Sequence, residues 1–368
     1  MKLAITGTRG VPNHYGGFEQ FVMQFSTRLV DAGHEVVVYN PHGHPYKDNT
    51  YKGVEIIRKW LPEKMFKAMS NYVFDRSCLR DAYQRKVDII LECGYASAAP
   101  WYRWLRRKGV KLITHMDGME WQRAKWNLIT KKIIRKTESI AVKYSDALVC
   151  DNPVVADYYR KMYSVSPEMI PYGAVIPEKW NENSLIKVGL EAGTFYLIVA
   201  RLEPENNIRI IIEGFLASNI RESLVIVGDY TRKSGSKLFK EFGGNPKIRF
   251  LGGIYDQDVL DNIRHYSKAL FHGHSVGGTN PSLLEAMAAG SLIMAHDNPF
   301  NRWVLDKNAA YFNNQQELRN HIAGIDKLRQ SADAWIPDNL ARIESDFQWD
   351  SIVSQYEELF LRLLKGSD

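Results

Sequence analysis

At 368 residues the chain is longer than one ordinary domain and suits two of roughly 150–200 residues each. Its 45% hydrophobic and 24% charged content excludes a disordered or fibrous protein, and three scattered cysteines (Cys78, Cys93, Cys150) suggest neither a disulfide framework nor a metal cage, so a reducing compartment is expected. The net charge of +6 is unevenly spread, with 27 basic against 17 acidic residues in 1–173 and 21 against 25 in 174–368.

The opening MKLAITGTRG reads as a strand and a glycine turn, too short in its apolar part for a signal peptide, and no run reaches the ~20 apolar residues of a membrane-spanning helix. A cytoplasmic location is expected, free or on the inner face of the membrane. Strand-like runs follow at 35–40, 87–93, 110–116 and 145–151. Between the first two strands, Phe21, Val22, Phe25, Leu29 and Val30 recur at helical spacing, with Gly33 closing the helix. Apolar strands alternating with helices indicate a parallel sheet covered on both faces.

The pattern restarts after Gly173, with strands at 194–200, 223–229, 247–253, 268–273 and 291–296 and helices over 207–215 and 281–289. The expected architecture is therefore α/β, with two doubly wound domains over 1–173 and 174–345 facing a cleft. Residues 346–368 form a terminal helix packing back on the first domain. Ligands of open α/β sheets bind beyond the carboxyl ends of the strands.

The most informative segment runs from His274 to Gly290. A strand leads into Gly277-Gly278-Thr279, Asn280 stands at a helix N-cap, Pro281 opens the helix and Gly290 closes it. Gly278, Thr279 and Asn280 thus offer backbone N–H groups and a helix N-terminus to a diphosphate. Glu285, one turn in, is either a ligand for ribose hydroxyls or an incidental surface carboxylate. Arg201, at another strand end, either holds diphosphate or pairs with Glu203 or Glu205. Gly16 and Gly17 either make a tight turn or admit a phosphate closely. Asp117, after the strand 110–116, either orients an acceptor hydroxyl or takes its proton, or else caps a helix starting near Glu120.

Other signals point away from metals and dinucleotides. Thr6-Gly7-Thr8-Arg9-Gly10 is not a dinucleotide fingerprint, and Asp256-Gln-Asp258 precedes a helix that Asp256 is expected to cap. The His42/His44 and His272/His274 pairs lack further ligands, so no metal and no other cofactor is expected. From Arg58 to Lys136 there are 19 basic and 7 acidic residues, and Trp121, Arg123, Lys125 and Trp126 begin a stretch mixing apolar and basic side chains. This stretch is expected to meet an acceptor or an anionic membrane, with core packing as the rival. No nucleic-acid module accompanies it.

The segment 274–290 resembles the donor-binding signature of glycosyltransferase family 4, whose members are retaining GT-B enzymes with two Rossmann-like domains. The signature carries two glutamates eight positions apart; Glu285 matches the second, and Gly277 stands at the first. Gly16-Gly17-Phe18-Glu19, Ile170-Pro-Tyr-Gly173 and Val199-Ala-Arg201-Leu-Glu-Pro-Glu-Asn206-Asn207 resemble further family landmarks in order, with Asn206 where a lysine is usual. Residues 117–126 resemble a bacterial rhamnosyltransferase-type subgroup. The resemblance implies donor contacts from Arg201, Asn206 and Glu285. It also implies transfer of a sugar, rhamnose from dTDP-rhamnose in the subgroup, to a saccharide or polyprenyl-linked acceptor in surface-polysaccharide assembly, with retention. Alternatives are a nucleotide-sugar epimerase of the same fold, or a nucleotide-sugar-binding protein with impaired catalysis.

Overall fold

The computed structural model describes residues 1–62, 69–106, 109–124 and 126–366. They form two compact units, one of residues 1–122, 126–172 and 349–368, the other of 123–125 and 173–348. The helix Trp349–Lys365 belongs to the first unit, where Phe21, Phe25 and Tyr356 pack their rings together.

The first unit has eight strands: β1 (Lys2–Thr6), β2 (Glu35–Pro41), β3 (Thr50–Tyr51), β4 (Val54–Lys59), β5 (Ile89–Cys93), β6 (Lys111–His115), β7 (Ala147–Cys150) and β8 (Glu168–Met169). Their order is β3-β4-β2-β1-β5-β6-β7-β8, parallel except for the β3–β4 pair. The second unit is wholly parallel: β9 (Phe195–Val199), β10 (Ser223–Val227), β11 (Ile248–Gly252), β12 (Ala269–His272), β13 (Ile293–His296) and β14 (Ala310–Phe312), in the order β11-β10-β9-β12-β13-β14. Each sheet is doubly wound. Its strand order reverses beside the first strand, at β1/β5 and at β9/β12, which is where a sheet of this kind opens a ligand crevice.

The central strands are apolar on both faces because helices cover both, and Tyr196, Ile198, Leu224, Ile226, Phe271 and Met294 form the middle of the second core. In the first unit the helix Leu128–Tyr144 is pinned by a buried carboxylate. Glu138 accepts hydrogen bonds from the hydroxyls of Tyr95 (2.9 Å), Tyr158 (2.7 Å), Tyr159 (3.3 Å) and Tyr163 (2.7 Å). A buried charge persists only when so satisfied.

Candidate functional site

In the second unit the loops leaving β9 and β12 are stitched together at the reversal point. Ser275 donates its backbone N–H (3.1 Å) and its hydroxyl (2.8 Å) to the Glu205 carbonyl, and Asn207 Nδ2 donates to the Gly273 carbonyl at 2.8 Å. The approach leaves no room for a side chain, since a Cβ on Gly273 would lie 2.2 Å from the Asn206 carbonyl oxygen. Asn206 is buried, and its amide donates to the Arg201 carbonyl at 2.7 Å, so this residue braces the loop from within.

Arg201 itself is exposed just past β9, and among the described residues no carboxylate forms an ion pair with it. The salt bridge weighed for it is made by another residue. Glu205 pairs with Arg123 at 3.4 Å.

Arg123 therefore needs correction. Expected on an acceptor or membrane face, it is 7% exposed and belongs to the second compact unit. A guanidinium enters a protein interior when a carboxylate meets it there, as the buried Glu205 does. Of its neighbours, Trp121 is half-buried under the Arg135 guanidinium (4.4 Å), and Trp126, also half-buried, donates its indole N–H to Glu120 at 3.1 Å. Neither tryptophan is among the large exposed apolar side chains. Lys125 lies outside the described residues.

The glycine loop runs from β12 into the helix Pro281–Ala288, with Asn280 at the N-cap in extended conformation and Pro281 in the first turn. The Asn280 side chain makes no capping hydrogen bond, so the cap is positional. Within the loop Gly278 and Thr279 are buried. In the first turn Pro281 carries no N–H and the Leu283 N–H is taken by the Asn280 carbonyl at 2.9 Å, which leaves the Ser282 N–H and the helix dipole to suit an anion. Gly277 has a φ of +139°, a conformation open to glycine and strained for a glutamate. Position 277, where the resembled signature carries a glutamate, is thus one that a glutamate would occupy only under strain.

Glu285 is mostly buried and engages a partner that no motif disclosed: its Oε2 accepts from Arg264 Nη2. Arg264 is 1% exposed and also donates to Asp261 at 2.8 Å. Arg264 reaches Glu285 from a different helix, Gln257–His265, so spacing along the chain gave no sign of it.

Two more residues of this region escaped the sequence reading as site elements. The His272 and His274 rings stack at 4.4 Å, and His272 Nε2 and His274 Nδ1 are buried without a hydrogen-bond partner. Burial, with His296 nearby, holds His272 down to about 3. Burial, then His272, Arg201 and Arg123, holds His274 well below the ordinary imidazole range. Both rings are neutral near pH 7. Among the described residues no group of three His, Cys, Asp or Glu side chains is arranged to hold a metal. Asp256 caps the helix that follows it, accepting from Val259 N–H at 3.2 Å.

The remaining expected residues belong to the first unit. Gly16 is the extended N-cap of helix Gly17–Asp31. The glycine pair therefore opens a helix ten residues beyond β1, whereas Gly7, with a φ of +79°, makes the tight turn at the strand end. Asp117 follows β6 in the left-handed region (φ 41°), as does Gly118 (φ 64°), and a non-glycine residue held there stores strain. The Asp117 N–H donates to His115 Nδ1 at 3.4 Å. His115 is fully buried, lowered to about 3 by burial, and stacked on Tyr172 at 5.3 Å. Nearby, burial raises Asp75 to about 6, and burial followed by the Asp75 charge raises Glu92 well above its ordinary value.

Residues 1–175 match a domain of unknown function (DUF1972), and residues 182–339 match the glycosyl transferases group 1 family. A curated relative, the alpha-1,3/1,6-mannosyltransferase ALG2 of Candida glabrata, is 24% identical over 291 residues, which are 71% of this chain. The chain spans 60% of that relative's length. Sucrose-phosphate synthase from Thermosynechococcus elongatus has a similar fold, with a TM-score of 0.79 at 18% identity over 99% of each chain. Anabaena Alr3699/HepE in complex with UDP-glucose gives 0.76 at 15% identity over 98% of this chain and 99% of its own. The two Rossmann-like units are those of GT-B glycosyltransferase structures.

Proposed function

We propose that this chain, whose residues 182–339 carry a glycosyl transferases group 1 domain, transfers a sugar from a nucleoside diphosphate donor to a saccharide or polyprenyl-linked hydroxyl. The observation that carries the reading is Arg201, an exposed cation unpaired with any described carboxylate, on a loop stitched at Gly273 and Ser275 to the segment that leads into the glycine loop and the helix N-terminus at Pro281. A guanidinium and oriented amides together suit a diphosphate, and they stabilise it most as it departs with negative charge. Glu285, fixed by Arg264, meets the ribose hydroxyls. In the reaction the acceptor oxygen bonds to the anomeric carbon, the bond from that carbon to the diphosphate oxygen breaks, and the acceptor proton passes to a leaving phosphate oxygen. Attack from the leaving-group face gives retention. The resemblance of residues 117–126 supports rhamnose from dTDP-rhamnose as the sugar and surface polysaccharide as the product, with Asp117 orienting the acceptor.

Calorimetric titration of dTDP, UDP and GDP into wild type and Arg201→Ala tests the donor site. One nucleotide is expected to bind at micromolar Kd and to weaken at least tenfold in the variant. No binding by any nucleotide, or equal binding by both proteins, overturns the reading. A second reading, nucleotide binding without transfer, is favoured by Gly277 standing where the resembled signature has a glutamate and by the inward Asn206. Product analysis with the chosen nucleotide sugar and a polyprenyl-linked saccharide separates the two.

A further inference from the structure

The helix Leu128–Tyr144 presents an unusual outward face. Leu128 is 79% exposed, Ile129 72% and Ile133 48%, and on the neighbouring helix Ala99–Leu105 Trp104 is 73% exposed. Large aliphatic side chains at this exposure, clustered within two turns, are not accounted for by folding. The other exposed positions of helix Leu128–Tyr144 are four lysine or arginine side chains, among them Lys132 and Lys136, and one serine. None is acidic. The helix's acid, Glu138, is buried among tyrosines.

We propose that this face docks on an anionic lipid bilayer, with Leu128, Ile129, Ile133 and Trp104 entering the interface and Lys132 and Lys136 meeting headgroup phosphates. Charge selects the occupant. A second copy of the chain would set these cations against themselves, whereas a bilayer of negative headgroups complements them while accepting aliphatic side chains. Within the stretch that begins at Trp121, this assigns the contact to the outward face of helix Leu128–Tyr144 and not to the half-buried Trp121 and Trp126 or the buried Arg123.

The placement also serves the site. The helix connects the parallel strands β6 and β7, so its N-terminus lies at the carboxyl end of the sheet, where Asp117 leaves β6. A lipid-linked acceptor held in the docked bilayer is thus presented at the edge carrying Asp117. Docking stands without the donor reading, and only this delivery role rests on it.

The full chain is spun with vesicles of phosphatidylcholine alone and of phosphatidylcholine with phosphatidylglycerol, at low and high salt. Wild type is expected to sediment only with the anionic vesicles and to be released by salt. Leu128→Gln/Ile129→Gln/Ile133→Gln and Lys132→Glu/Lys136→Glu are each expected to lose at least tenfold in partitioning. The altered side chains are exposed, so both variants should keep the wild-type Tm and nucleotide Kd. Wild type remaining in the supernatant, binding that ignores lipid charge, or variants that bind as wild type would each overturn the proposal. So would a dimer in light scattering that the triple variant abolishes, which would assign the face to a second copy. Loss of nucleotide binding with vesicle binding intact would refute the donor reading instead.

Discussion

Arg264 and Glu285 form a buried ion pair across two helices, and the same guanidinium holds Asp261 at 2.8 Å. One cation therefore sets the orientation of the carboxylate assigned to the ribose. Glu285→Gln removes the charge while keeping the shape, and it should raise the Kd for the nucleoside diphosphate by ~10–100-fold, the loss expected for hydrogen bonds to a charged group. Unchanged affinity in calorimetry would remove Glu285 from the ribose site. Arg264→Met should cost ~3 kcal/mol in denaturant unfolding, because it leaves two largely buried carboxylates facing each other's helices without their cation.

Arg201→Ala should lower kcat by ~100-fold or more, as the loss of a group stabilising leaving-group charge does. Because the side chain is exposed and pairs with no described carboxylate, the Tm should stay within about 1 °C of wild type. A large fall in Tm would assign the residue a structural role.

Two glycines of the site should respond for different reasons. Gly273→Ala places a methyl 2.2 Å from the Asn206 carbonyl and must part the two stitched loops, at a cost of about 3 kcal/mol. Gly277→Glu places the glutamate of the resembled signature with its Cβ in ordinary contact with Asn280 Nδ2 (3.8 Å) but at a φ of +139°, and should cost about 1–3 kcal/mol without raising kcat. A faster Gly277→Glu enzyme would show that the missing carboxylate, and not the backbone, limits turnover.

Acid should weaken the second unit through its histidines. The unfolded chain protonates His272 near pH 6.5, whereas the folded chain resists until about pH 3. This group's contribution is intact above pH 6.5 and falls as the pH drops toward 3, by ~2 kcal/mol at pH 5. Asp75 and Glu92 act in the opposite sense, since their raised values make the folded state bind protons first. A comparison of variants is therefore needed. Between pH 7.5 and pH 5, His272→Phe should lose ~2 kcal/mol less than wild type in chemical denaturation. Equal losses would show that the ring is not kept neutral by burial.

The strands that position the sites were legible because parallel central strands are apolar throughout. The runs at 2–6, 223–229 and 268–273 match β1, β10 and β12 within two residues. The two-residue β3 and β8 and the three-residue β14 are too short to carry a pattern, and the six-residue β4 ends in the polar pair Arg58-Lys59. The glycine loop and its helix were readable from local chemistry, since Pro281 and Gly290 punctuate the chain by their own conformational limits. What joins distant segments was not. Arg123 meets Glu205 across 82 positions, and nothing near Glu285 in sequence announces Arg264. Burial of a charge is decided by its partner, and partners are a property of the fold.

The tyrosine clasp on Glu138 bears on how the helix Leu128–Tyr144 is able to expose its aliphatic residues at all. Left to itself, a helix with leucine and isoleucine toward water gains by rolling about its axis until they are covered. Four hydroxyls converging on one buried carboxylate forbid that roll, because each degree of turn drags the carboxylate away from these donors. The helix is in this sense indexed, like a dial held by a pin. Its greasy numerals stay outward whether or not anything is there to read them.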